Sequence, residues 1–187
     1  MFNVRRQSVT FALRGAGITM SFVKKNVYEL SGNPFNEIGK EWFLITAGNC
    51  ENYNTMTASW GFMGVMWGAP SLLCAVRTNR HTFKFMEDSD VYTISFFDDS
   101  YKDALNFCGT KSGRDYDKAK ETGLTPIEID GAVTFEQAKR VFVCRKRYSE
   151  MMDQKSFTEK ATYDKWYNTD PMHKQYIGEI IAAYEKE

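Results

Sequence analysis

The sequence predicts a mainly β domain: an antiparallel barrel of six or so strands, with short helical insertions. Three observations predict it. Runs rich in β-branched and aromatic residues recur along the chain, among them Trp42–Ala47, Leu72–Arg77, Val91–Phe96 and Val141–Arg145. Glycine, proline and asparagine punctuate the intervals between them. The helical patterns in those intervals are short and irregularly placed, unlike the strand–helix alternation of a parallel sheet.

The elements follow in order. Trp42–Ala47 is a strand closed by Gly48 and Asn49. Asn54–Trp60 alternates small polar and larger residues and reads as its antiparallel partner. Gly61, Gly64, Gly68 and Pro70 then predict a loop. Leu72–Arg77 is the next strand, and Thr78 or Asn79 is placed to cap a short helix running to Phe85. Val91–Phe96 is a strand. Ser100–Phe107 is helical and stops at Gly109, and Asp115–Glu121 is helical and stops at Gly123. Val133–Tyr148 contains the strand Val141–Arg145, Phe157–Tyr167 reads as a helix, and Gln175–Tyr184 as the last strand, with His173 in the loop before it.

A chain of 187 residues suits one full domain, assigned to 20–187. Residues 1–19 are basic and free of acids and are set apart as an N-terminal extension, disordered or arising from a misassigned start, since Met20-Ser-Phe-Val-Lys-Lys makes a natural beginning. A transit-like leader has a similar composition, whereas the apolar stretch is too short for a signal peptide and is broken by Arg14. Twenty-four acidic residues balance twenty-four basic ones, so global charge argues for neither nucleic acid nor an anionic membrane. No apolar run is long enough to span a bilayer. The four cysteines lack a C-x-x-C or a zinc spacing, and a reducing cytoplasm is the default location.

Two segments carry the chemistry. Asn54-Thr55-Met56-Thr57-Ala58-Ser59-Trp60 could line a flat polar ring, with small side chains and accessible amides. Alone it would be an ordinary half-buried strand, but it runs into a glycine-rich turn where a backbone can approach a ligand closely. Arg77, Arg80, His81, Thr82 and Lys84 gather four cationic-type side chains where a strand enters a helix. Such a run is most often a solvated face. Cations at a helix N-terminus, however, oppose its dipole, and a phosphate there offsets that cost and uses the free N–H groups. Together the segments suit a planar heterocycle bearing a phosphate, and flavin mononucleotide (FMN) fits both. Cys108-Gly-Thr-Lys-Ser-Gly-Arg-Asp115 lacks the order of a P-loop, and reads equally as a plain loop or as a cover over a ligand or a partner subunit. His81 and His173 are the only histidines, and no metal site, hydrolase triad or catalytic acid–base pair is assigned.

The same residues show a resemblance. Asn54–Gly61, Pro70 and Val76-Arg-Thr-Asn-Arg-His-Thr82 resemble the flavin reductase-like family of FMN-binding split β-barrels. Gly109–Lys118, Thr122–Thr125, Cys144-Arg-Lys and the His173…Tyr176–Ile180 ending are similar to its flavoredoxin-like branch. The resemblance implies a six-stranded split barrel and a homodimer with FMN near the interface. It places Thr55 to Ser59 along the ring, Arg77, Arg80, Thr82 and Lys84 at the phosphate, and the loop Ser112-Gly113-Arg114 against the flavin or the other subunit. It implies an NAD(P)H-dependent reductase with NADH or NADPH as donor. The alternatives are a flavoredoxin-type carrier that exchanges electrons with a protein partner, and a non-redox FMN-binding or scaffold protein.

Overall fold

The computed structural model describes residues 8–12 and 19–187. Strand β1 (Ser8–Ala12) pairs antiparallel with β2 (Thr19–Lys25), so part of the segment set apart above is strand. The rest of that segment, 1–7 and 13–18, lies outside the described residues. A short helical turn α1 (Pro34–Asn36) precedes β3 (Phe43–Asn49), β4 (Asn52–Ala58), β5 (Gly61–Met66) and β6 (Ala69–Arg77). Helix α2 (His81–Asp88), β7 (Val91–Phe96), helices α3 (Lys102–Thr110) and α4 (Lys118–Thr122), and the hairpin β8 (Pro126–Ile129) and β9 (Ala132–Phe135) follow. The long strand β10 (Arg140–Met151), helix α5 (Lys160–Tyr167) and β11 (His173–Lys186) complete the chain.

Six strands form the barrel in the hydrogen-bonded order β6-β11-β10-β7-β3-β4. The two ends of that order, β4 and β6, are not hydrogen-bonded to each other, which leaves the barrel split between them. Strand β11 serves two partners on one side: residues His173–Glu179 pair with β6, and Ala183–Lys186 pair with β2.

Alternation along the strands sorts two cores. Phe43, Ile45, Tyr92, Ile94, Phe96, Phe142 and Cys144 point into the barrel. Their neighbours Leu44, Val141 and Val143 point outward, under α3, α4 and the β8–β9 hairpin. The outward hydroxyls of β7 are satisfied by that hairpin: Thr93 donates to the Val133 carbonyl and Ser95 pairs with Thr134. Burial on both faces explains why β3 and β7 read as continuous apolar or small-residue runs.

Four local expectations change, the first at Gly109, which lies inside α3 rather than ending it, since the helix runs to Thr110 and is capped at Lys111. The glycine-marked stretch after Trp60 is the strand β5, an edge strand paired only with β6. A side chain at Gly64 would meet open space, whereas one at Gly61 would overlap the Leu73 carbonyl of β6, and the turn Trp67–Gly68 closes the hairpin. Helix α2 begins after Arg80, which serves as N-cap without a side-chain cap bond, so neither Thr78 nor Asn79 caps it. His173 opens β11, opposite Arg77, rather than lying in a loop. The helix stop at Gly123 holds: its φ of 69° is the left-handed conformation that ends α4.

Candidate functional site

The split between β4 and β6 opens into a cavity of about 370 Å³. Met56, Thr57, Ala58, Ser59 and Trp60 line one side, and Ala75, Arg77, Trp166 and His173 line the rest. Arg80 closes one end and also lines a second cavity of about 180 Å³, with Asn79, His81 and the loop Thr110–Arg114. Lys118 forms part of its wall. The ring-sized and cation-lined spaces thus meet at one guanidinium.

The residues expected to touch the ligand divide into lining and framework. Asn54, Thr55 and Thr82 are framework. Thr82 donates its hydroxyl to Asn54 Oδ1 (2.8 Å), which fastens the start of α2 to β4. Thr55 pairs with Thr46 Oγ1 at 2.8 Å and donates to the Ile45 carbonyl, so its side chain is spent inside the sheet. Thr57 lines the first cavity while its hydroxyl donates to the Leu105 carbonyl of α3. Ser112 and Gly113 line the second cavity. Gly113 lies so close to Asn54 that a Cβ there would overlap the Asn54 amide, so only glycine lets the loop approach β4.

The cations separate as well. Arg80 donates to the carbonyls of Gly109 (2.6 Å) and Cys108 (3.3 Å), completing the end of α3 while facing both cavities. Arg77 lines the first cavity but is engaged elsewhere: it donates to the Pro171 carbonyl (2.8 Å) and the Trp166 carbonyl (3.0 Å). Lys84 is exposed and lines a separate hollow with Asn49 and Asn52, and His81 borders both that hollow and the second cavity. Burial and the charges of Arg114, Lys118 and Lys84 push the His81 imidazole below its ordinary pKa, so it stands neutral in a positive field.

Sequence reading missed Lys118, which is only 5% exposed. Its ammonium donates to the carbonyls of Thr55 and Cys108, both at 2.8 Å, and so ties β4 to α3. Burial, reinforced by the charge of Arg80, pulls its pKa down to about 8. The lysine stood in plain view within the Gly109–Lys118 run, but nothing local distinguishes it from the exposed Lys111 and Lys120 beside it. Cys108, adjacent to this cluster, is fully buried and its thiol is pushed up to about 11 by burial, which makes it inert as a nucleophile.

Part of the first cavity's wall is aromatic. Trp60 meets Trp166 edge to face, with centroids 4.9 Å apart, and lies 5.0 Å from the His173 ring. Tyr167 and His173 Nδ1 share a hydrogen bond of 2.9 Å. Burial, with the Arg77 charge second, lowers the His173 pKa to about 4. The sign follows: above pH 6.5 the imidazole is neutral folded and unfolded alike, and below it only the unfolded chain takes up a proton freely. Stability therefore falls as pH drops from about 6.5 towards about 4. Denaturant midpoints measured across that window should show the fall, and His173→Gln should reduce it.

A family model of the flavin reductase like domain matches residues 35–187, and the chain belongs to that family. Solved structures agree in fold. An FMN-binding domain of a flavin reductases-like enzyme from Shewanella baltica OS155 has a TM-score of 0.62 at 15% identity, over 88% of this chain and 76% of that one. Flavoredoxin from Methanosarcina acetivorans gives 0.61 at 20% identity, over 85% and 76%. Flavoredoxin of Desulfovibrio vulgaris (Miyazaki F) gives 0.61 at 20% identity, over 78% and 69%. No curated protein matches in sequence. Among the described residues, no helix is long and apolar enough to cross a membrane.

Proposed function

We propose that this chain binds FMN, with the ring along Met56–Ser59 and the phosphate between Arg80, His81, Ser112, Gly113 and Lys118, and works as a flavin reductase-like oxidoreductase fed by NADH or NADPH. The observation that carries the reading is the pair of cavities joined at Arg80, the second lined by Arg80, His81, Lys111, Arg114 and Lys118 and by no acidic side chain. A phosphate placed there meets several cations and the first N–H groups of α2, which have no acceptor within the helix. Asn54, Thr55 and Thr82 stand one layer behind the cavity walls and support this site, Arg77 lines the ring cavity with its guanidinium tied to the α5 segment, and Lys84 stands outside it.

When bound, the flavin supplies the redox chemistry, accepting a hydride or passing electrons singly. The chain's part is binding and orientation. Ser59 and the β4 backbone offer polar contacts to a ring edge, Arg80 and Lys118 hold the phosphate end, and Trp60 with Trp166 narrows the access of water. No side chain at the site is assigned a proton-transfer step.

A homodimer fits this reading: Phe62, Val65 and Trp67 on the β5 hairpin are 72%, 63% and 65% exposed, an apolar edge that a second copy would cover near the cavity. Four free cysteines, three of them buried, suit a reducing cytoplasm. The alternative, a flavoredoxin-type carrier, is favoured by the 41% exposure of Trp166 at the cavity rim, where a protein donor could dock. Anaerobic mixing of the FMN-loaded protein with NADH and then NADPH tests the choice. Rapid bleaching by either nucleotide is expected of a reductase. A flavin that resists both but is bleached by a ferredoxin-like donor overturns it in favour of the carrier.

A further inference from the structure

A further cavity, of about 280 Å³, lies between the barrel and the segment that runs from Val27 to Glu37. It shares no wall residue with the two cavities that meet at Arg80. Its volume is near the lower end of the ~300–1,000 Å³ range of small-molecule sites. The wall is mainly apolar, built by Val27, Leu30, Met63, Val65, Phe142 and Ile180. Its charged groups are Glu37 and Arg140. The Arg140 guanidinium donates to Glu37 Oε1, to Glu185 Oε1 and to the Ser31 carbonyl. Two carboxylates on one guanidinium leave a net negative charge. The Glu37 and Arg140 side chains are each only 12% exposed, so water screens that charge little. Glu37 uses only Oε1 in the pair, which leaves Oε2 to accept from a ligand. An anion would have to displace a carboxylate from Arg140, whereas a cation adds to the set. Tyr28 in the same wall is 70% exposed and, with Phe142, offers a ring face to a cation. A second observation marks the same segment. Glu37–Glu41 forms a turn of π-helix, and Trp42 follows at φ 69° and ψ 173°, a region open in practice to glycine alone. Lys102 holds this conformation: its ammonium lies 3.6 Å from the Trp42 ring centroid and donates to the Lys40 and Glu41 carbonyls. Such turns and such strain gather where proteins clamp ligands.

We propose that this cavity binds a small organic amine, an ammonium group on an apolar aryl or alkyl body, with the ammonium at Glu37 and the body between Met63, Val65 and Phe142. The charge balance selects the cationic head, and the apolar wall selects the body. Gly32 belongs to the site as well: a Cβ there would overlap Glu37 Oε1, so the absence of a side chain lets the segment close over the ion pair. The site is distinct from the flavin's and stands whether or not FMN binds.

The test titrates the full chain, labelled with carbon-13 at its methionine and isoleucine methyl groups, with three probes of similar shape. They are 4-phenylbutylamine, 4-phenylbutan-1-ol and 4-phenylbutyrate, which are cationic, neutral and anionic. Met63→Leu and Ile180→Val assign the two wall signals. The amine should shift both signals saturably and bind at least about tenfold more tightly than the alcohol, the span of one charge-assisted hydrogen bond. The carboxylate should bind more weakly than the alcohol. Glu37→Gln should remove the amine's advantage over the alcohol, and Glu185→Gln should reduce it, which keeps the test open if the first variant fails to fold. Val65→Trp, at a position 63% exposed, should fill the cavity and weaken all three probes without unfolding the chain. The proposal is overturned if no probe shifts the Met63 and Ile180 signals, if the carboxylate binds as well as the amine, or if the amine's advantage survives the loss of either carboxylate. Signals that move on dilution of the protein while every probe is excluded would assign the cavity to a contact between copies, and would overturn it too.

Discussion

Replacing Lys118 with methionine is expected to weaken FMN binding by roughly 10- to 100-fold, the span of one charge-assisted hydrogen bond. The volume is nearly conserved, so the lost group is the ammonium. In the wild type, binding should also depend on pH. A phosphate dianion beside Lys118 favours its charged form, so the bound state holds the proton more tightly than the free protein, where burial pulls the lysine down to about 8. Affinity should therefore be flat below that pH and fall as pH rises through it, by up to about tenfold per pH unit. Lys118→Met should abolish the slope. Fluorescence titrations from pH 7 to 9.5 would show both effects; a wild type without the slope, or a variant that keeps it, would contradict the assignment. The variant also strips a donor from the Thr55 and Cys108 carbonyls, so a stability loss on the order of 1–3 kcal/mol should accompany the change.

Gly178→Ala is expected to cost about 1–3 kcal/mol, the range for overpacking a filled interior. Gly178 lies on β11, buried against Tyr92 and Cys144. A Cβ there would overlap the Tyr92 hydroxyl and lie 2.9 Å from Cys144 Cβ. Tyr92 is only 1% exposed and cannot swing aside, and its hydroxyl has no nitrogen or oxygen partner among the described residues. Tyr92→Phe removes the atom that the new methyl meets first, so the double variant should recover part of the loss. Urea unfolding midpoints compared across the four proteins of this cycle would measure the coupling. An equal cost with and without the hydroxyl would show that Cys144, or the backbone, sets the limit.

Much of the barrel was legible because strand periodicity is a local property. Phe43/Ile45 against Leu44, and Phe142/Cys144 against Val141/Val143, sort themselves by position alone. The short strand β8 and the edge strand β5 were not legible. Pro126 and three glycines carry loop signals, and pairing to β9 and β6 overrides them. The site divides in the same way. Ala58, Ser59 and Arg80 announce themselves by type and place. Asn54 and Thr82 have the donors and acceptors a ligand would use, yet they satisfy each other across 28 residues, a partnership no local pattern encodes. Arg77 looks like Arg80 in sequence, but its strand end faces the α5 segment, while Arg80 faces the end of α3. Lys118 and Trp166 join the cavities only through tertiary packing, which is why composition and spacing passed over them.

The central claim is that the second cavity is built for the phosphate of a bound flavin. Titration of the purified protein with FMN and with riboflavin, followed by quenching of flavin fluorescence, tests it most directly. One FMN bound per chain, with riboflavin at least about 100-fold weaker for want of two or more charged hydrogen bonds, is the predicted result. Equal affinity for the two flavins, or no uptake of either, would contradict it.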